Sequence, residues 1–83
     1  MLVDLLYFGS IREVLGRDTE RVDTPSHVLT VDDLVEWLRG QSGAHGEALA
    51  GTVLAAVEGC HAAGSDTVFG AREVALFPPM GAL

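Results

Sequence analysis

Glu73-Val74-Ala75-Leu76-Phe77-Pro78-Pro79 is an apolar run closed by two prolines. Valine, leucine and phenylalanine over five residues suit a strand. Paired prolines cannot continue one, because each lacks the N–H that a ladder needs. The longest other run is at the other end of the chain, where Leu2, Val3, Leu5, Leu6, Tyr7 and Phe8 are interrupted by Asp4 alone. Such near-continuous patterns predict strands covered on both faces, or nearly so, and the most apolar strands tend to be central. The first and last strands are therefore expected side by side in mid-sheet.

Between them the punctuation is clear. Gly9-Ser10 ends the first strand, and Ile11 to Gly16 fits one helical turn stopped by glycine. Thr19 to Asp23 reads as a short, mostly exposed second strand, ended by Pro25. Thr30 is a good N-cap, with Asp33 three residues on. Val31, Leu34, Val35 and Leu38 recur at helical spacing with Trp37 beside them, and Gly40 closes the segment. Asp32, Asp33 and Glu36 early and Arg39 late follow the helix dipole, so helix capping accounts for these acids. This predicts a helix over 31–40. Gln41 to Gly46 reads as a loop and Glu47 to Gly51 as a short helical turn. Val53 to Val57 is a third strand, Cys60 to Ala63 a weak fourth. One main helix on one face of a mixed sheet of four to five strands is an α+β, β-grasp arrangement of the ubiquitin-like kind.

At 83 residues the chain is one domain, 1–83, with 78–83 leaving a central strand as a C-terminal tail. With 48% hydrophobic residues it has enough apolar surface to fold alone, though a chain this short has a thin core. The net charge of −7 argues against nucleic acid or an anionic membrane as partner. The basic residues are Arg12, Arg17, Arg21, Arg39 and Arg72. There is no lysine, which excludes Schiff-base chemistry and lysine-linked conjugation on this chain. A single cysteine excludes an internal disulfide and, with no targeting segment or long apolar run, makes the cytoplasm the default compartment.

Three stretches, in register over essentially the whole chain, resemble the MoaD-type sulfur carriers, the small subunits of molybdopterin synthase. The first is Leu6-Tyr7-Phe8-Gly9-Ser10-Ile11-Arg12-Glu13-Val14-Leu15-Gly16, like the family's apolar strand followed by Arg-Glu-x-x-Gly. The second is Leu54-Ala55-Ala56-Val57-Glu58, where the family has an Ala-Val-Asn strand. The third and most specific is Arg72 to Pro79, close to Asp-Glu-Val-Ala-Phe-Phe-Pro-Pro. The resemblance implies a carrier with no bound cofactor and no catalytic site of its own. An E1-like adenylating enzyme would use ATP to activate its terminal carboxylate. Sulfur would then give a thiocarboxylate, and the tail would enter the large subunit, in a heterotetramer, to donate sulfur to a pterin precursor. A glycine terminus suits that path because it has no Cβ.

The chain departs from the family at that point. Ala82 and Leu83 stand where the terminal Gly-Gly belongs, which leaves Gly81 as the candidate processed terminus. Three accounts compete: a longer or fused native chain that is later cut, an altered terminus, or a diverged β-grasp interaction module without sulfur chemistry. A related carrier for thiamine, cysteine or tRNA thiolation is a further alternative.

Family members carry an apolar partner-binding patch at the positions of Phe8, His61 and Phe77, continued here by Pro78, Pro79 and Met80. Phe8 and Phe77 read equally well as core, and His61, where the family has leucine, reads more simply as a solvent-facing strand residue. Cys60 reads as a half-buried strand residue, since only His61 flanks it. His27, His45 and His61 show no metal-ligand spacing. No phosphate-binding loop or nucleophile motif is present.

Overall fold

The computed structural model describes residues 1–79. Along them run β1 (Leu2–Tyr7), α1 (Gly9–Leu15), β2 (Thr19–Asp23), α2 (Val31–Arg39), α3 (Gly43–Ala48), β3 (Leu54–Val57), β4 (Cys60–Ala62) and β5 (Glu73–Phe77). The sheet order is β2-β1-β5-β3-β4. β1 and β5 are adjacent, central and parallel, and the remaining pairs are antiparallel. Parallel neighbours require a crossover, and the whole span from α1 to β4 provides it.

β1 alternates. Val3, Leu5 and Tyr7 are buried beneath the helices. Leu2 is exposed, and Asp4 and Leu6 are half-buried on the other face. The expectation of two covered faces is thus corrected: the described helices pack on one face, and Asp4 marks the face left open. On the covered face Leu5 pairs with Val74 and Tyr7 with Leu76, and Val31, Leu34, Val35 and Leu38 of α2 complete the core.

α2 follows its sequence closely. Asp33 N–H donates to Thr30 Oγ1 (3.1 Å), and Thr30 N–H donates back to Asp33 Oδ2 (3.2 Å). Each thereby satisfies a donor that the first helical turn leaves open. Trp37 is half-buried against the core. Gly16 ends α1 in the left-handed conformation (φ 71°), its N–H bonded to Arg12 O.

The third helix differs from expectation. It covers Gly43–Ala48, not Glu47 to Gly51, because Ser42 caps it by accepting from His45 N–H (3.2 Å). Gly43 and Gly46 are poor helix formers and mask that start in the sequence. Cys60 is exposed on the edge strand β4 rather than half-buried.

The β3–β4 hairpin turns on Glu58 (φ 51°) and Gly59 (φ 81°). Positive φ is unusual for glutamate. Its side chain offsets this: Glu58 Oε1 accepts from Glu73 N–H (2.9 Å) and from Arg72 N–H, tying the turn to the start of β5. These two bonds hold the Glu58 carboxyl below the usual glutamate range.

Candidate docking face and tail exit

The strand register sorts the open face into rows, because directly paired residues share a face. One row crosses all five strands: Thr19, Leu6, Ala75, Ala56 and His61. The next row toward the C-terminus pairs Phe77 with Leu54. Phe8 stacks on Phe77, with ring centroids 4.8 Å apart and planes 13° from parallel. On the other side of the central row lie Arg21, Asp4 and Glu73. Arg21 donates to Asp4 through Nε (2.7 Å), and that bond holds the Asp4 carboxyl below its ordinary value. The face therefore grades from aromatic at the tail end, through small residues, to charged at the far end.

Phe8, Phe77 and His61 accordingly share one face. His61 is exposed and lies two strands from Phe77. Pro78 is half-buried and Pro79 exposed. Met80, Gly81, Ala82 and Leu83 lie outside the described residues.

The chain leaves the sheet over a glycine. Gly9 adopts φ +56°, and a Cβ built there would lie 2.8 Å from Pro78 Cγ. Phe8 N–H donates to Leu76 O (3.2 Å). The β1–α1 corner thus forms the seat on which Pro78 rests.

Under that corner is a polar cluster that sequence reasoning missed. Glu20 Oε1 accepts from Tyr7 Oη–H (2.7 Å) and pairs with His45 Nε2 (3.0 Å). Glu20 Oε2 meets Arg17 Nη1 at 3.1 Å, and His45 Nδ1 meets Ser42 Oγ at 2.7 Å. Tyr7 and His45 are buried. The visible signals were Ser42 three residues before His45, and Glu20 on the inward phase of β2. Burial penalises the Glu20 carboxylate, but the bonds from His45 and Tyr7 and the charge of Arg17 outweigh it, so its pKa is lowered. Burial and the neighbouring Glu20 push the Tyr7 phenol well above its ordinary value. The cluster pins β1, β2 and α3 together below the tail exit.

A depressed carboxylate contributes stability above its unfolded pKa, and that contribution is lost as pH falls through the folded value. Glu20→Gln is therefore expected to cost about 1–2 kcal/mol at pH 7, replacing charged hydrogen bonds by neutral ones. The difference from wild type should shrink in acid. Urea midpoints from neutral pH to below the carboxylate range test this, and a gap independent of pH would refute it.

The histidines are not brought together. His27 is exposed in the loop before α2, His45 lies in the cluster and His61 on β4. Among the described residues no group of three His, Cys, Asp or Glu side chains is placed to hold a metal ion, and no helix is long and apolar enough to cross a membrane.

The profile of the ThiS family matches residues 5–81. The chain belongs to the ThiS family. Like other structures of this ubiquitin-like β-grasp type, it combines a mixed five-stranded sheet with helices packed on one face. SAMP1 from Haloferax volcanii is 27% identical with a TM-score of 0.76, and all of each chain is covered. A second structure, described as H. volcanii small archaeal modifier protein 1, is 29% identical with a TM-score of 0.68, covering 95% of this chain and 98% of that one. A putative molybdopterin converting factor subunit 1 from Pyrococcus furiosus is 22% identical with a TM-score of 0.72, covering 96% and 99%; it shares the fold. No curated protein sequence matches this chain. The resemblance read from the sequence thus holds at the level of a ThiS/MoaD-like sulfur carrier or modifier.

Proposed function

We propose that this ThiS-family chain is the sulfur-carrier subunit of a molybdopterin synthase. The observation that carries the reading is the continuity of the open aromatic end of the sheet, Phe8 stacked on Phe77, with the point where the chain leaves the central strand over Gly9. A carrier needs one surface that docks and one end that reacts, arranged so that docking aims the end. Here Phe77 belongs to the first and Pro78 begins the second.

In this reading an E1-like enzyme binds the open face. The terminal carboxylate, proposed at Gly81, attacks the α-phosphate of ATP and releases pyrophosphate. A sulfur nucleophile then displaces AMP, breaking the C–O bond and forming C–S, and the thiocarboxylate is carried to the large subunit. The acid–base groups come from the partners. This chain supplies the face, the reach and, with its net charge of −7, faster encounter with basic grooves. The site of this exchange would be the cytoplasm.

A second reading, modification of other proteins through the same activated end, is favoured by the full-length likeness to SAMP1. It shares the activation step and differs in the group passed on: the modifier's acyl carbon forms an amide with an amine, whereas the carrier gives up sulfur to a pterin precursor and keeps its carboxylate. The two are separated by product.

The test is the intact mass of the chain from its own cell, before and after incubation with the adenylating enzyme, ATP and a sulfur donor. The expected result is a chain ending in glycine that gains one oxygen-to-sulfur exchange and co-purifies with a large synthase subunit. Amide conjugates to other proteins, without that subunit, would favour the modifier. A chain still ending in Leu83, with unchanged mass, would leave a β-grasp binding module.

A further inference from the structure

The charged end of the open face holds a hollow of about 320 Å³, lined by Asp4, Leu6, Thr19, Glu20, Arg21 and Glu73. The strand register places most of these side chains. Arg21, Asp4 and Glu73 form one row across β2, β1 and β5, and Thr19 and Leu6 belong to the next. Leu6 is half-buried and gives the hollow an apolar lining.

Three carboxylates border it, and two are engaged within the chain. Asp4 accepts from Arg21 Nε at 2.7 Å and from Nη2 at 3.3 Å. Glu20 accepts from Tyr7 and pairs with His45 and Arg17. Glu73 is exposed, and among the described residues no cation pairs with its carboxylate. Arg21 is held by Asp4, and Arg72 lines a neighbouring hollow with Leu2, Asp4 and Arg21. A lone exposed carboxylate is ordinary. This one stands beside an apolar lining, on the face that the carrier reading uses for docking. It also lies four residues before Phe77 on the same strand and the same face, roughly 13 Å away at about 3.3 Å per residue.

We propose that this hollow is a socket for a basic side chain, an arginine or lysine, of the large synthase subunit. Such a side chain lays its methylene stem on Leu6 and brings its charge to Glu73, so both parts of the hollow are used. An apolar residue seated there would cover Glu73 and leave a desolvated charge unpaired, and an acidic one would be repelled. The proposal rests on the carrier reading for its partner and adds a second contact point to it. With Phe77 alone, the sheet could pivot on the partner. Phe77 and Glu73 together fix its rotation, and with it the direction in which the chain leaves over Gly9. Complementary charges at an interface set register in this way.

The test is calorimetric titration of the large subunit with wild type, Glu73→Gln, Glu73→Lys and Glu47→Gln at low and high salt. Glu47 is exposed on α3, in the helical layer, so its variant loses the same unit of charge without touching the socket. At about 0.1 M salt, Glu73→Gln should bind about five- to tenfold more weakly than wild type and Glu73→Lys about a hundredfold more weakly, with Glu47→Gln within about twofold. At about 1 M salt, where the screening length falls from about 10 Å to about 3 Å, the gap between wild type and Glu73→Gln should narrow. All four proteins should melt at the same temperature, because the Glu73 side chain is exposed and unpaired in the fold. If Glu73→Gln and Glu47→Gln weaken binding alike, the partner responds to net charge and the socket is refuted. If wild type binds, Phe77→Asp does not and both Glu73 variants bind as wild type, the docking face stands and the socket alone is lost. If wild type itself does not bind, the carrier reading falls and takes the socket with it.

Discussion

Gly9→Ala is expected to fold, to lose about 2 kcal/mol, and to shift Pro78 from its seat. Two costs combine. Alanine at φ +56° carries about 1 kcal/mol of backbone strain relative to glycine. Its Cβ would also lie 2.8 Å from Pro78 Cγ, and a proline ring offers no rotamer by which to retreat, so the backbone of the β1–α1 corner or of residue 78 must move. Gly16→Ala is the control. It has a similar positive φ of +71° but nothing within 4 Å of the added atom, so it reports the backbone cost alone. For a domain of this size 1 kcal/mol corresponds to roughly 4–8 °C in Tm. The Gly9 variant should therefore melt below the Gly16 variant, and the Pro78 resonances should move only in the former. Equal melting points with unmoved Pro78 signals would mean that Gly9 does not seat the tail.

In the proposed reading that seat joins local geometry to function, and half of it was legible in the sequence. Gly9-Ser10 was readable as the end of a strand, and Pro78-Pro79 as the end of another. That the two ends meet follows only from the parallel pairing of β1 with β5, a long-range contact that no local pattern encodes. What did reveal it was relative hydropathy: the first and last strands were the most apolar, which placed both in mid-sheet. α2 was legible almost to the residue because its cap, periodicity and charge order agree. α3 was not, because Gly43 and Gly46 mask a helix that the Ser42 cap and burial of His45 and Leu49 sustain. The cluster around Glu20 stayed hidden for a related reason. A glutamate on a strand that alternates with exposed residues reads as surface, and only the fold brings Tyr7 and His45 to it.

The two-sided covering of β1 was misjudged for an instructive reason. Leu6 and Phe8 suggest a second buried face, yet among the described residues no helix covers them, and Phe8 is met only by the ring of Phe77 beside it on the same face. Apolar side chains left on an otherwise polar and acidic surface are what a docking face requires. In the proposed reading, the apolar signal of core is here a signal of binding.

Phe77→Asp is accordingly expected to leave the fold intact and to weaken binding to the large synthase subunit, or to the adenylating enzyme, by about thirtyfold or more, the loss typical of an aromatic anchor at an interface centre. Phe77 is only half-buried and stands at the last position of β5, so the covered core beneath does not depend on it. Phe8→Ala should lose less, and the double variant Phe8→Ala/Phe77→Ala should fall short of additivity, because the stacked pair contributes about 0.5–1.5 kcal/mol jointly. Phe69 is the discriminating comparison. It is 71% exposed, more so than Phe8 at 39%. It lies next to Gly70, whose N–H contacts Met1 Sδ, at the end of the sheet away from the tail. If exposure of an aromatic ring were what partners recognise, Phe69→Asp would be the more damaging change. If continuity with the departing tail is what matters, Phe69→Asp binds as wild type while Phe77→Asp does not. Calorimetric titration of both variants against the same partner separates the two. Comparable losses would remove the open face from the mechanism, and a loss confined to Phe77 would tie docking to the end that reacts.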